Sequence, residues 1–399
     1  LSCLFPGAQT PEQYWQNLLE QTDLTSLATI EQIGVNPHLF YDPHKGKPDK
    51  FYCQRGGYIR DFQFDATGYQ LAADLLNHLD PMHQWALYAA KQALQASGYF
   101  NNSSILADCG VILGNLSFPL RRSHPLFAEI YHKALTPSLQ ALLHSQTFQL
   151  DRAETAHPDS RINGYLSGYP SALIAQALAL SGVNLSLDAA CASSLYAIKL
   201  ACHYLQAGRA NLMLAGAVSA ADPLSIHMGF SIFQAYPEND RTAPLDRSSQ
   251  GLIAGEGASM VVLKRHADAV RDRDRIYAVI RGIGLSNDGK GKFVLSPNPK
   301  GQTLAFERAY ADANIPPNSI EYIECHATGT PLGDLTELNS LDAFFGNNTP
   351  IPLIGSVKSN FGHLLTAAGM ASLLKVILSM NHGSIPATLK ISQPLSSDR

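Results

Sequence analysis

Cys191, His326 and His363 each fall where a strand-like run gives way to a loop or a helix, so one thiol and two imidazoles could converge on a single reaction centre. Val183, Leu185 and Leu187 alternate with Asn184, Ser186 and Asp188, the period of a strand with one buried face. Leu195, Ile198, Cys202 and Leu205 then mark one stripe of a helix. Cys191 sits between the two, the place of a nucleophile on a sharp strand-to-helix turn, where close packing demands small neighbours such as Ala189, Ala190 and Ala192. Unpaired N–H groups at a helix N-terminus favour thiolate over thiol, so such a cysteine is expected to react without an adjacent base. The same residues are equally compatible with a buried, inert cysteine.

His326 opens the run His326-Ala327-Thr328-Gly329-Thr330-Pro331-Leu332-Gly333-Asp334. Its glycines and proline predict a tight loop that presents the imidazole and the Thr328 and Thr330 hydroxyls rather than burying them. His363 closes Gly355-Ser356-Val357-Lys358-Ser359-Asn360-Phe361-Gly362-His363, again between a strand and a helix. A lone histidine is ordinarily a surface or core residue. Three strand-end motifs, with one thiol and two imidazoles among them, point instead to covalent chemistry. No metal is expected, because the chain has no His-Glu-x-x-His pair, no paired cysteine motif and no evident carboxylate triad.

The elements that must position these residues follow from periodicity. Strand-length apolar runs at 109–113, 183–187, 211–218, 260–263, 276–283, 320–323 and 352–354 alternate with helical segments, which predicts an α/β fold with buried sheets. The polar, basic stretch 264–275 separates an N-terminal half, 1–265, from a C-terminal half, 272–399. Residues 118–160, rich in His, Gln and Leu, read as an insertion with helices of its own, a surface cap or contact region more readily than a substrate channel. The 399 residues are 45% hydrophobic and can bury a large core, while a net charge of -4 argues against a nucleic-acid binder. Six cysteines without close pairing fit a reducing cytoplasm. The apolar run 367–380 is too short to span a bilayer and contains Lys375, so it reads as a buried helix.

The chain resembles the β-ketoacyl synthases of the thiolase superfamily. The resemblance runs in order through Leu1-Ser2-Cys3-Leu4-Phe5-Pro6-Gly7-Ala8, Asp188-Ala189-Ala190-Cys191-Ala192-Ser193-Ser194, Gly255-Glu256-Gly257, the His326 loop and the Lys358-Ser359-Asn360-Phe361-Gly362-His363 segment. Details at 233–239 and 285–291 resemble the branch of polyunsaturated fatty acid and heterocyst glycolipid synthases. What the resemblance implies is a thiolase-like fold of two related halves in a five-layered α-β-α-β-α sandwich. It implies Cys191 as acyl acceptor, His326 and His363 as donors to an enolate oxygen, Thr328 and Thr330 as pantetheine contacts, and Lys358 with Glu337 as a supporting ion pair. It further implies no bound cofactor, acyl and malonyl thioesters carried on the phosphopantetheine of acyl carrier proteins, a homodimer, and other domains of a multidomain synthase.

Ala189 and Ala192 stand where the family usually has Thr and Ser, Ala327 where Gly is common, and Ala254 where Arg is frequent before Gly-Glu-Gly. Family members also carry an apolar strand before a segment like 1–8 and a Gly-Phe-Gly-Gly-Thr-Asn-Ala-His motif after one like 385–391. Neither lies in these 399 residues, so on their own they are expected to be poorly active or unstable. The rival readings are a chain-length-factor-like partner or carrier-binding scaffold without activity, a decarboxylating loading domain, and a Cys-His hydrolase. Cys191, His326 and His363 together speak against the first, and the absence of Gln at position 191 against the second. Lys264, Arg265, Arg271, Arg273 and Arg275 could dock an acidic carrier protein or simply form a solvated basic surface.

Overall fold

The computed structural model describes residues 1–116, 120–121, 124–150, 167–290, 296–346 and 351–395. Strands β1 (Ser2–Leu4), β2 (Cys109–Asn115), β3 (Asn184–Leu187), β4 (Leu212–Ser219) and β5 (Gly257–Leu263) form one sheet in the order β1-β5-β4-β2-β3. Its β4, β2 and β3 run parallel, and β5 is antiparallel to both β1 and β4. Strands β6 (Tyr322–Glu324) and β7 (Leu353–Gly355) pair in parallel as a second sheet. The helices that matter here are α1 (Pro81–Ala96), α2 (His124–Leu142), α3 (Tyr169–Ala177), α4 (Ser193–Gln206), α5 (Pro299–Ala313), α6 (Pro331–Phe345) and α7 (Ala368–His382).

Alternation along the central strands builds the layers. On β2 and β4, Val111, Leu113, Leu214 and Val218 join a core beneath α1 and α3, whereas Ile112, Met213, Ala215 and Ala217 join one beneath α4 and α7. Both faces are therefore covered, and β2 and β4 are buried along their whole length. Ile323 and Ile354 of the second sheet pack against Leu338, Leu341 and Phe345 of α6 and Phe306 and Tyr310 of α5. With α7 also touching β6, the order is helix, sheet, helix, sheet, helix. Asp80 caps α1 by accepting from the Met82 N–H at 3.0 Å, and Pro81 occupies the first turn, so the boundary before this alanine-rich helix is written locally.

Two expectations need correction and a third is narrowed. The run 276–283 forms no strand ladder among the described residues. Its backbone presses against α5 instead: a Cβ at Gly282 would lie 2.5 Å from the Ala309 carbonyl oxygen and one at Gly284 1.9 Å from that of Ala305. The Ile283 N–H is taken by the Asp312 carboxylate at 3.0 Å. Strand β3 lies at the open edge of its sheet, so Leu185, expected inside, is 38% exposed. Of the five basic residues expected at 264–275, Arg273 and Arg275 are exposed, while the other three are held by acidic neighbours. Lys264 pairs with Asp272 and Asp274, Arg265 with Asp268, and Arg271 with Asp268 and Asp272.

Within the expected insertion, 118–119, 122–123 and 151–160 lie outside the described residues, and α2 accounts for much of the rest. Its entry is tied down by Arg121, which pairs with the buried Glu256 and lies 5.5 Å over the Trp85 ring. Among the described residues no helix is long and apolar enough to cross a membrane.

Two histidines of the core carry a pH consequence. His83 is fully buried, edge-on to Tyr169 at 5.2 Å, and His227 is buried against Phe51, Tyr58 and Tyr236. Burial lowers both to about 4, while the unfolded chain takes up protons near 6.5. Stability from keeping them neutral is complete above pH 6.5 and lost as pH falls from there toward 4. At pH 5 the loss is about 2 kcal/mol for each. Thermal unfolding of His83→Leu is therefore expected to depend less on pH between 7 and 5 than that of the wild type; equal slopes would refute it.

Candidate active site

The turn carrying Cys191 is built by its neighbours. Strand β3 ends at Leu187, and residues Ala190–Ala192 form one 3-10 turn before α4 begins at Ser193. The Ala190 N–H donates to Asp188 Oδ1 at 2.8 Å; the Ala189 N–H donates to Ser193 Oγ at 2.8 Å, which in turn donates to the Ala190 carbonyl at 2.7 Å. Ala190 holds φ 50°, a conformation that costs a residue with a Cβ and marks the turn as strained. Behind it, β2 approaches so closely that a Cβ at Gly114 would lie 2.8 Å from Ser193 Cβ. Ser193, which the sequence marks only as a small residue of the Cys191 motif, thus braces the turn.

His363 is held from both sides of its backbone. Its N–H donates to the Ile253 carbonyl at 2.7 Å and its carbonyl accepts from the Gly255 N–H at 2.8 Å. Its ring Nε2 lies 3.0 Å from Cys191 Sγ, and its Nδ1 accepts the Leu365 N–H at 3.1 Å. An Nδ1 that accepts has no proton, so in the neutral ring the proton is on Nε2, facing the sulfur. Burial, with the charges of His326 and Lys358, holds this imidazole well below the usual range and so neutral. His363 is therefore placed as a hydrogen-bond donor rather than as a base.

The His326 ring stands nearly perpendicular to that of His363, with centroids 5.3 Å apart. Desolvation of the imidazole and the Lys358 ammonium push its pKa down, although the residue as a whole is exposed. Glu337, from α6, accepts the N–H groups of His326 and Ala327, both at 2.7 Å. Asp334 accepts the Gly329 N–H and, from across the fold, that of Leu245 at 2.9 Å.

Sulfur and one nitrogen from each histidine lie within 4.8 Å of one another, the spacing of a three-ligand metal set. The Leu365 hydrogen bond leaves no lone pair on His363 Nε2, so the residues do not fit a metal without a tautomer change.

Three details differ from the sequence reading. Glu337 makes no direct ion pair with Lys358 among the described residues, because its carboxylate is spent on two backbone N–H groups. Lys358 is 3% exposed, and burial pulls its pKa down against the opposing fields of Glu324 and Glu337. Thr328 is buried rather than presented, its hydroxyl 3.0 Å from that of the half-buried Thr330. Burial also pushes the Cys191 thiol up, against the pull of Lys358 and its own backbone N–H, so the helix N-terminus does not make it a ready thiolate. Its iodoacetamide alkylation rate is expected to rise about tenfold per pH unit from 7 to 9 without a plateau. A plateau near pH 7 would show that the helix N-terminus wins.

Comparison with known proteins matches this geometry to a family. The family model described as the beta-ketoacyl synthase N-terminal domain matches residues 1–269, and that of the C-terminal domain matches 277–392. One polyunsaturated fatty acid synthase polypeptide of Thraustochytrium sp. (strain ATCC 26185 / S-3) is 32% identical over 99% of the chain, which spans only 14% of that polypeptide. A solved structure, the PfaC keto synthase-chain length factor, is 58% identical with a TM-score of 0.94, covering 99% of this chain and 43% of that one. The ketosynthase from module 6 of the bacillaene synthase of Bacillus subtilis 168 is 30% identical with a TM-score of 0.80, covering 98% of this chain and 62% of that one. The fold is that of the thiolase-like ketosynthases, and the chain belongs to the β-ketoacyl synthase family.

Proposed function

We propose that this chain joins acyl units by decarboxylative Claisen condensation, with Cys191 as nucleophile and His326 and His363 as donors to the enolate oxygen. The observation that carries the reading is the donor-oriented Nε2 of His363, 3.0 Å from the Cys191 sulfur. Sulfur attacks an acyl thioester, and the pantetheine sulfur leaves with the thiol proton. A malonyl thioester then loses carbon dioxide, and the electrons of the broken C–C bond form an enolate whose oxygen the two imidazoles stabilise. The enolate carbon attacks the Cys191 thioester, a C–C bond forms, and the cysteine sulfur leaves.

Thr328 and Thr330 contact the pantetheine arm in this reading, and Glu337 and Lys358 hold the histidines in place. No cofactor is bound by the domain; the substrates arrive on acyl carrier proteins within a multidomain synthase in the cytoplasm. The halves 1–265 and 272–399 act as one catalytic unit. The open edge of β3, with Asn184 and Leu185 exposed, supports a homodimer joined there.

In the full-length protein, intact-mass measurement after incubation with an acyl carrier thioester is expected to show an acyl adduct on wild type and none on Cys191→Ala. Adding malonyl carrier protein should then release a β-ketoacyl product. No adduct from any acyl carrier tested would overturn the mechanism in favour of a silent, chain-length-factor-like scaffold, and free acid without a new C–C bond would indicate a hydrolase.

A further inference from the structure

Beneath the two histidines lies a buried ion pair to which the condensation chemistry assigns no part. Lys375, in the middle of α7, and Glu324, the last residue of β6, have side chains 1% and 2% exposed, with Nζ and Oε2 2.8 Å apart. The Tyr322 hydroxyl donates to the same carboxylate, and its ring centroid lies 5.4 Å from Nζ. The other carboxylate oxygen accepts the Val357 N–H at 2.6 Å. Strand β7 makes room for the ammonium: a Cβ at Gly355 would lie 2.6 Å from the Tyr322 hydroxyl and 3.3 Å from Lys375 Nζ.

The connections run toward both imidazoles. Glu324 is two residues before His326, and Val357 immediately precedes Lys358 and the turn that leads to His363. The strands join again where the Cys325 N–H donates to the Gly355 carbonyl at 2.7 Å and Ser356 Oγ donates to the Ala327 carbonyl at 2.7 Å. Among the charges that favour the ionised form of the buried Lys358, Glu324 acts more strongly than Glu337. Replacing a buried ion pair by apolar residues is often neutral for stability, so folding alone gives little reason to keep this one.

We propose that Glu324, oriented by Lys375, is a positioning residue for decarboxylation, fixing the His326 strand relative to the Lys358–His363 segment so that both imidazoles meet one enolate oxygen. This role rests on the condensation reading above. It acts through geometry, and acylation of Cys191, whose turn belongs to the other sheet, does not depend on it.

The test compares the two half-reactions in the full-length protein: acyl mass on Cys191, and carbon dioxide released from malonyl carrier protein. Glu324→Gln and Lys375→Met are each expected to slow decarboxylation about tenfold or more while changing acylation less than about threefold. The double variant, which removes both members of the pair and leaves Glu337 facing Lys358, is expected to melt close to wild type and keep the slow decarboxylation. Wild-type decarboxylation in the double variant would overturn the proposal. So would single variants that lose both half-reactions in step with the folded fraction, or a double variant that does not fold. A wild-type protein inert in both half-reactions would instead overturn the condensation reading and this role with it.

Discussion

Replacing His363 with alanine is expected to slow carbon dioxide release from malonyl carrier protein by about 10²–10³-fold, the usual cost of losing one aligned oxyanion donor. Cys191 acylation should fall by less than about tenfold in the same protein. The split follows from the tautomer. Leu365 fixes the proton on Nε2, so the imidazole can donate to a developing negative oxygen but has no free lone pair with which to take the thiol proton. Were His363 the base that activates Cys191, acylation would collapse together with decarboxylation. Measuring acyl mass and carbon dioxide on one preparation decides between these outcomes. The pH dependence gives a second view: burial keeps this imidazole neutral, so lowering pH from 7 to 6 should not protonate it, and decarboxylation measured on the folded enzyme should change little over that interval.

Much of this site is legible in the sequence because its chemistry is written in short runs that fold locally. Small residues around Cys191 imply a tight turn, and the glycines after His326 and before His363 imply loops that end strands. Local patterns say little about which distant groups meet. The expected Lys358 and Glu337 pair is a case: Glu337 turns to the backbone N–H groups of His326 and Ala327, and Glu324 takes the larger part in balancing Lys358. That division depends on β6 pairing with β7, two strands well separated along the chain. The Cys191 thiol departs from its expected acidity for a similar reason. A helix N-terminus is visible in sequence, whereas the desolvation that outweighs it comes from residues the fold gathers around a half-buried thiol. At 276–283 the apolar pattern suits a strand, yet Gly282 and Gly284 let the backbone lie against α5. Lys375 is visible as the lone charge in an apolar helix, but its partner is not.

Gly329→Ala should be the most damaging single-methyl change in the catalytic loop. Gly329 holds φ 90°, and an added Cβ would lie 2.3 Å from Thr242 Oγ1 and 2.8 Å from both the Gly251 carbonyl oxygen and Ser249 Oγ. Relief by movement is blocked, because Ser249 Oγ donates to the Gly329 carbonyl at 2.7 Å and Thr242 Oγ1 donates to the Thr328 carbonyl at 3.2 Å. The left-handed backbone costs an alanine about 1–2 kcal/mol, and overpacking adds about 1–3 kcal/mol, so a loss of roughly 2–5 kcal/mol is expected in denaturant unfolding. Gly208→Ala is the matched control, with φ 66° and nothing within 4 Å of its Cβ position; it should show only the backbone part. Because Gly329 follows His326 closely in the same loop, the variant that still folds should also lose decarboxylation, whereas Gly208→Ala should keep it. Equal destabilisation of the two would mean that the loop yields without cost, and that the contacts around Thr328 and Ser249 do not hold His326 in place.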